Sequence, residues 1–457
     1  NNDYKNMVHL TPFKSCVLQN FPFIEADFDA VTNYQLLCKV VEYLNKLIGN
    51  SNTQNDNISQ LEQNFITLYN YVKDYFDNLD VQDEINKKLD DMAASGELEQ
   101  IYFKFVGYVT PEMFYTQVGN DWDKALDMCI NSKKKILLSG EYTFAKSHTF
   151  NSGSSILGLN AIIHTSDFGI PTVNKNELGD NVTDNTRYVF VLNGNTEISG
   201  IRFLSMSGCI RCVGDNISIS KCYFKTYSSL QSGYTAYYAI ECKSANNIRI
   251  SDIFIDMEPS GWRDGVHIDG NCNYIYISNS KIISGDDPIA LNATEEEYGT
   301  ISNVYIDNCY LEGFGIRFYS KNAATKIYNV FINNVSINSI TMGGASASAI
   351  RFVNGWGMIN EPTYTGEYEN IIMNNVVLQQ SNNDYASFYV IDSNITGLKM
   401  NNVKLKDLAI IRNTKIDNWM VSNCDSLINN FSLEGITSST NCLLYTSPSP
   451  RDQRGSR

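Results

Sequence analysis

NNIRISD at 246–252, NYIYISN at 273–279, SNVYIDN at 302–308, YNVFINN at 328–334, ENIIMNN at 369–375 and TGLKMNN at 396–402 are copies of one pattern. Aligned on Ile248, Ile275, Val304, Val330, Ile371 and Leu398, they stand 27, 29, 26, 41 and 27 residues apart. Each alternates apolar with polar residues and then reaches Asn, Asp or Ser, which reads as a short strand ending in a turn. Fainter copies lie upstream at Asp215–Lys221 and Thr196–Ile201 and downstream at Asp417–Asn423. Later in each repeat comes another short strand: AIEC (239–242), VHID (266–269), IALN (289–292), IRFY (316–319) and IRFV (350–353).

Two to three short strands every 21–31 residues, with no helical pattern between them, predict a parallel β-helix. Leucine-rich repeats are excluded by the missing leucine signature, and propeller blades by the short period. The crossover rule for parallel strands makes the helix right-handed. Asparagines at the turns tolerate the left-handed conformation and can stack as amide ladders. Ile250, Ile277, Ile306 and Ile332 then fall on one inward column, coil above coil. The fold class expected is therefore mainly β, with an α-helical region ahead of it.

That region occupies the start of the chain. Tyr34, Leu37, Val41, Leu44, Leu47 and Ile48 mark one face of a helix capped at Thr32. Ile58, Leu61, Phe65, Leu68, Val72, Tyr75 and Leu79 alternate steps of three and four, the spacing of a coiled-coil seam. A packed amphipathic helix in a small bundle is the other reading of that spacing. A further helix is expected over Val81–Leu98. The domains read as a leader (1–30), a helical region (31–100), a β-helix lead-in and cap (101–145), the β-helix (146–441) and a tail (442–457). Within the lead-in, Asp121–Asn131 should form a capping helix and Lys135–Leu138 the first strand. The tail, CLLYTSPSPRDQRGSR from Cys442, breaks the pattern and resembles translated read-through of a sequencing adapter.

Composition narrows the function. Fifty acidic against 35 basic residues give a net charge of -15, which argues against nucleic acid, whose phosphates need clustered Lys and Arg, and against a membrane surface. No apolar run reaches the roughly 18–20 residues of a membrane span. The 11 cysteines are scattered without a CxxC pair, so buried thiols are expected rather than disulfides or a zinc site. Neither a metal nor another cofactor is expected. Twenty-eight Tyr and 22 Phe suit flat surfaces that hold sugars.

The chemistry lies where the later strands align. One column reads Asp264, Asp287, Phe314, Ser348, with Asp286 beside Asp287; three residues on, an outward column reads His267, Ala290, Arg317, Arg351. Adjacent rungs sit about 4.8 Å apart, so three carboxylates meet on the outer surface and at least one must have a raised pKa. That is what acid–base cleavage of a glycosidic bond requires. The spacing needed for a water between acid and base, about 6.5–9.5 Å, would give inversion at the anomeric carbon.

Two resemblances add to this. The run LTPFKSCVLQNFPFIEADFDAVTNYQLLCKVVEYLNKLI with DYFDNLDVQDEINKKLDDMAASGEL, within Leu10–Leu98, resembles the N-terminal region of tail fibre and tail spike proteins of phages of Gram-positive gut bacteria. It implies virion attachment, a homotrimer and a place on the extracellular virion tail. VTPEMF (109–114) and GNDWDKALDMCINSKKKILLSGEYTF (119–144) resemble the lead-in of pectate-lyase-like tail proteins. WRDGVHID and SGDDPIAL resemble the two aspartate motifs of polygalacturonase-type glycoside hydrolases, with GFGIRFYS and AIRFVNG in the places of two further family motifs. This second resemblance, over about Asn195–Asn430, implies a pectin-lyase-like fold with Asp286 as general acid and Asp264 and Asp287 activating water. It also implies that Arg351 binds an acidic group of the sugar.

Phe314 stands where that family has histidine and Val353 where it has lysine, while Trp262 and Arg263 replace a polar pair. His267 is a partial stand-in or an ordinary surface histidine. His267, Arg317, Tyr319, Arg351 and Trp262 are the candidate substrate contacts, and a host cell-surface polysaccharide is the candidate substrate. Three functions are open: a tail spike that hydrolyses this glycan, a non-catalytic β-helix that binds it or spaces the tail, and a calcium-dependent lyase with Arg317 as base. Specificity is expected from the aromatic loop around Trp356–Glu369.

Overall fold

The alternating repeats become stacked rungs. In the computed structural model Ile248 pairs with Ile275, then Val304, Val330, Ile371 and Leu398 in succession, always in parallel. The structure describes residues 107–166, 168, 173–175, 181–183, 187–227, 238–257, 263–340, 348–353, 364–380, 386–405, 409–424, 431–434 and 443–444. Nearer the start it describes 70, 87, 90–92, 94 and 95. Two compact units divide the chain, Asn1–Thr116 and Gln117–Arg457. The lead-in segment expected over 101–145 is therefore split between them.

In the first unit residues 70, 87, 90–92 and 94 are α-helical, in line with the expected helices, and a short helix spans Glu112–Tyr115. The seam residues from Ile58 to Leu79 and the leader lie outside the described residues.

In the second unit each full coil carries three strands. One stack runs through Ile217–Ser220, Asn246–Ser251, Cys272–Ser278, Ile301–Asp307 and Ile327–Asn333. A second runs through Tyr223–Thr226, Phe254–Met257, Lys281–Ile283, Tyr310–Gly313 and Ser336–Ser339. The third is an 11-stranded parallel sheet from His148–Phe150 to Phe431–Glu434, in which Ile240, Val266, Ile289, Ile316 and Ile350 are successive partners. Ile250, Ile277, Ile306 and Ile332 pair rung to rung and are at most 1% exposed, so the inward column is as expected. Phe318 stacks on Phe352 at 4.3 Å in the same core. The described cysteines are buried free thiols. No helix among the described residues is long and apolar enough to cross a membrane.

Turn asparagines set the pitch. Asn216, Asn247, Asn303, Asn329 and Asn370 precede the aligned apolar residues and all have φ between 52° and 59°. Their amides bond along the axis: Asn247 Nδ2 donates to Asn216 Oδ1 at 2.7 Å, and Asn370 Nδ2 to Asn329 Oδ1 at 2.9 Å. A second ladder links Asn279, Asn308, Asn334, Asn375 and Asn402, with Asn334 bonding to Asp307. Tyr274 interrupts the first. It holds φ 56° with its ring 46% exposed, and Asn303 turns to Asn273 instead. Left-handed backbone costs a side-chain residue about 1–2 kcal/mol, and Asn less. Tyr274→Asn is thus expected to stabilise the protein by about 1 kcal/mol and to raise the thermal midpoint by about 1–2 °C. A calorimetric midpoint at or below the parent's would contradict this.

The capping helix forms as expected, over Trp122–Asn131, with the Asp121 side chain accepting from Lys124 N–H. Ala125, Leu126, Cys129 and Ile130 form its buried face. Buried His148, on the first strand of the 11-stranded sheet, ties down the helix through Asp127 and Asp123 at 2.9 and 2.8 Å. At the far end Leu443–Leu444 pairs with Met420–Ser422.

One feature of the 11-stranded sheet departs from simple alternation. Tyr188–Leu192, Gly208–Cys212, Val266–Asp269, Ile289–Asn292 and Ile316–Tyr319 are buried on both faces. Ala409–Arg412 alternates. The outward side of the early rungs is therefore a second interior, and it borders the aspartate column.

Candidate active site

Three tight approaches bring the aspartates together. Gly265 N–H donates to Asp287 O at 2.9 Å, Asp286 N–H to Arg263 O at 3.0 Å and Phe314 N–H to Asp286 O at 2.7 Å, which pins the turn between rungs. Gly313, at φ 148°, lies so close that a Cβ there would meet Ser284 Oγ at 2.5 Å and Asp286 O at 2.6 Å. Only glycine fits that contact.

On this frame Asp264, Asp286 and Asp287 each bring an oxygen within 4.8 Å of the others. Their side chains are 6%, 19% and 1% exposed. The expectation that all three point openly outward is thus corrected: they leave the sheet on its outer side, but Asp264 and Asp287 are covered. Their separation is also shorter than the roughly 6.5–9.5 Å expected of an inverting pair. Asp264 Oδ1 accepts from Asp287 N–H at 3.1 Å and its Oδ2 lies 2.6 Å from His267 Nδ1. Burial pushes the Asp287 carboxyl up to about 8, with Asp286 and Asp264 adding to the effect against the opposing charge of Arg351. The trio therefore keeps a proton at neutral pH. These oxygens are close enough for one cation. A calcium ion would need six to eight oxygen ligands, and here His267, Arg351 and a backbone N–H already engage them. The donor set suits acid–base work better than a metal.

The candidate substrate contacts fare unevenly. Arg351 sits at the site, with Nη2 2.5 Å from Asp287 Oδ1 and 3.8 Å from Asp286, and its guanidinium faces the Phe314 ring. Its charge thus acts on the trio, not only on a sugar. Tyr319 is fully buried beneath the Arg317 guanidinium, 4.4 Å from the ring centre, and is wall rather than contact. Arg317 is itself only 6% exposed. Burial works against its charge, yet Glu295, Asp287 and Asp286 outweigh it and hold the guanidinium above its ordinary value. Held charged, it cannot accept a proton as a lyase base must. His267, expected on the surface, is fully buried, because Tyr238 stacks on its ring at 4.0 Å. Trp262 and most of the loop around Trp356–Glu369 lie outside the described residues.

Sequence reasoning missed the charged interior beside the trio. Arg211 pairs with Glu241 through two hydrogen bonds of 2.6 and 2.8 Å and reaches Glu296 at 3.1 Å, all three buried. Arg187 approaches Glu296 at 3.7 Å. Burial opposes the Glu241 charge, but Arg211 prevails and lowers its carboxyl to about 2. The signal was present: Arg211, Glu241 and His267 occupy one position of three successive rungs.

Comparison with known proteins agrees with the site. No curated protein matches the chain. Among solved structures, a family 28 exopolygalacturonase of Yersinia enterocolitica superposes with a TM-score of 0.47 at 11% identity, over 74% of this chain and 76% of that one. A hyperthermoactive exopolygalacturonase of Thermotoga maritima gives 0.43 at 11% identity, over 75% and 92%. The Dettilon tailspike protein gives 0.33 at 14%, over 75% and 68%. These likenesses are too distant to carry an argument about substrate. The family profile for glycosyl hydrolases family 28, in contrast, matches residues 181–447, a span that holds every aspartate of the trio, and the chain belongs to that family of glycoside hydrolases.

Proposed function

We propose that the protein hydrolyses a bacterial surface polysaccharide, with Asp286 as general acid and Asp264 and Asp287 holding the attacking water. The observation that carries this reading is the convergence of three carboxyls within 4.8 Å, with burial pushing Asp287 up to about 8. At rest the proton belongs to buried Asp287. Asp286 has the most open side chain of the three, which suits it to pass the proton to a leaving oxygen. Asp287, once ionised, joins Asp264 in accepting from the water.

Inversion is expected because this reading assigns the attack to water and places no carboxylate as the nucleophile. Attack by water in a single displacement inverts the centre, and a covalent glycosyl-enzyme would retain it.

A rate limb follows from the proton. We expect kcat/KM to fall as pH rises through about 8, where Asp287 loses its proton and the trio has none to donate. Arg351→Ala removes the charge that favours the ionised form, so the limb should move to higher pH; a raised KM beside it would indicate an acidic substrate. A pH–rate series checks both, and an unmoved limb would separate Arg351 from the trio.

Incubation with purified surface glycans of candidate hosts, reading new reducing ends, tests the activity. Phe314, an apolar ring 6% exposed beside the acids, favours the second reading, a glycan-binding β-helix without turnover. The N-terminal resemblance supports placement on a phage tail as a homotrimer, which light scattering on the full chain tests.

A further inference from the structure

His267 sits inside a cage of its own. Nδ1 lies 2.6 Å from Asp264 Oδ2, and Nε2 lies 3.1 Å from Asp269 Oδ1 and 3.8 Å from Glu295. Tyr238 covers one face of the ring at 4.0 Å, nearly parallel. In its column Glu241 precedes it and Ala290 follows. Asp269 is fully buried at the end of the same strand. The ring therefore touches the proposed base on one side and a buried carboxyl on the other, and no sugar can reach it.

We propose that His267 is a positioning residue for hydrolysis: held by Asp269 and Tyr238 behind the sheet surface, it fixes the orientation and charge of Asp264 toward the attacking water. Asp264 then has one oxygen on the imidazole and the other on Asp287 N–H, so its carboxylate plane is fixed at both ends. Burial opposes a charged imidazole, but Asp269 and Asp264 outweigh it and hold the ring well above its ordinary value of 6.5. Burial also pushes the Asp269 carboxyl up, against the opposing charge of His267.

The inference rests on the acid–base reading of the trio, and its test has an arm that needs no substrate. In the full-length protein, nitrogen NMR of the imidazole should show both ring nitrogens protonated at pH 7.5, where a free histidine is neutral. Asp269→Asn should weaken that signature without touching the base. On a cleaved glycan, His267→Gln keeps a hydrogen bond to Asp264 but no charge. It should lower kcat about 100-fold, with KM within about twofold as expected of a group acting only in the transition state. Asp269→Asn should lower kcat in the same direction by less. An imidazole that titrates as a free histidine does, or wild-type kcat in His267→Gln, overturns the proposal. So does a loss of kcat that only follows a loss of folded protein in both variants. Should His267→Gln fail to fold, the parent spectrum and Asp269→Asn still decide.

Discussion

Asp286→Asn is expected to lose about 10²–10⁴-fold in kcat while the protein still binds glycan and melts as the parent does. An amide has the shape of the acid but no proton for the leaving oxygen. Asp286 is also the least enclosed of the trio, with a side chain 19% exposed, so the change leaves the covered contacts of Asp264 and Asp287 intact. The extra negative charge that helps raise Asp287 disappears at the same time. What remains should bind without turnover. Reducing-end release set beside a binding isotherm measures the two separately. Parental turnover in this variant would end the assignment of Asp286 as the acid.

Ile277→Asp should prevent folding. Ile277 is 1% exposed and lies between Ile250 and Ile306 on neighbouring rungs, so the new carboxylate would meet only hydrocarbon. Burying an unpaired charge costs several kcal/mol, here about 5 or more, against a total stability of about 5–15 kcal/mol. Ile277→Val removes one methylene at the same point and should cost only about 1 kcal/mol. Denaturant titration of both variants distinguishes a register error from general sensitivity, because a misaligned column would leave the aspartate near solvent and the midpoint unmoved.

The register of the coils was legible because two local rules coincide. The alternating residues name the inward column, and the asparagines mark the turns where φ is positive, so Ile248, Ile275 and Val304 align without any knowledge of the fold. Alignment alone then put Asp264 beside Asp287. The cover over the outer face was not legible. Period-two alternation tells which face of a sheet a residue occupies, but not whether another segment lies on it. His267 and Arg317 were read as outward on that basis. Tyr238 from one rung below lies against His267 instead, and Glu295 beyond the next strand acts on both His267 and Arg317. A column reading Arg211, Glu241, His267 on successive rungs is hard to reconcile with an open sugar-binding face, since complementary charges stacked in register suit an enclosed network.

Direct attack of water on a glycosidic bond at the aspartate trio is tested by proton NMR of a surface polysaccharide during the first turnovers. Each new reducing end should first appear with the anomeric configuration opposite to that of the cleaved bond and only later equilibrate, with no unsaturated product absorbing in the ultraviolet. A first product of retained configuration, or an unsaturated sugar, would contradict it.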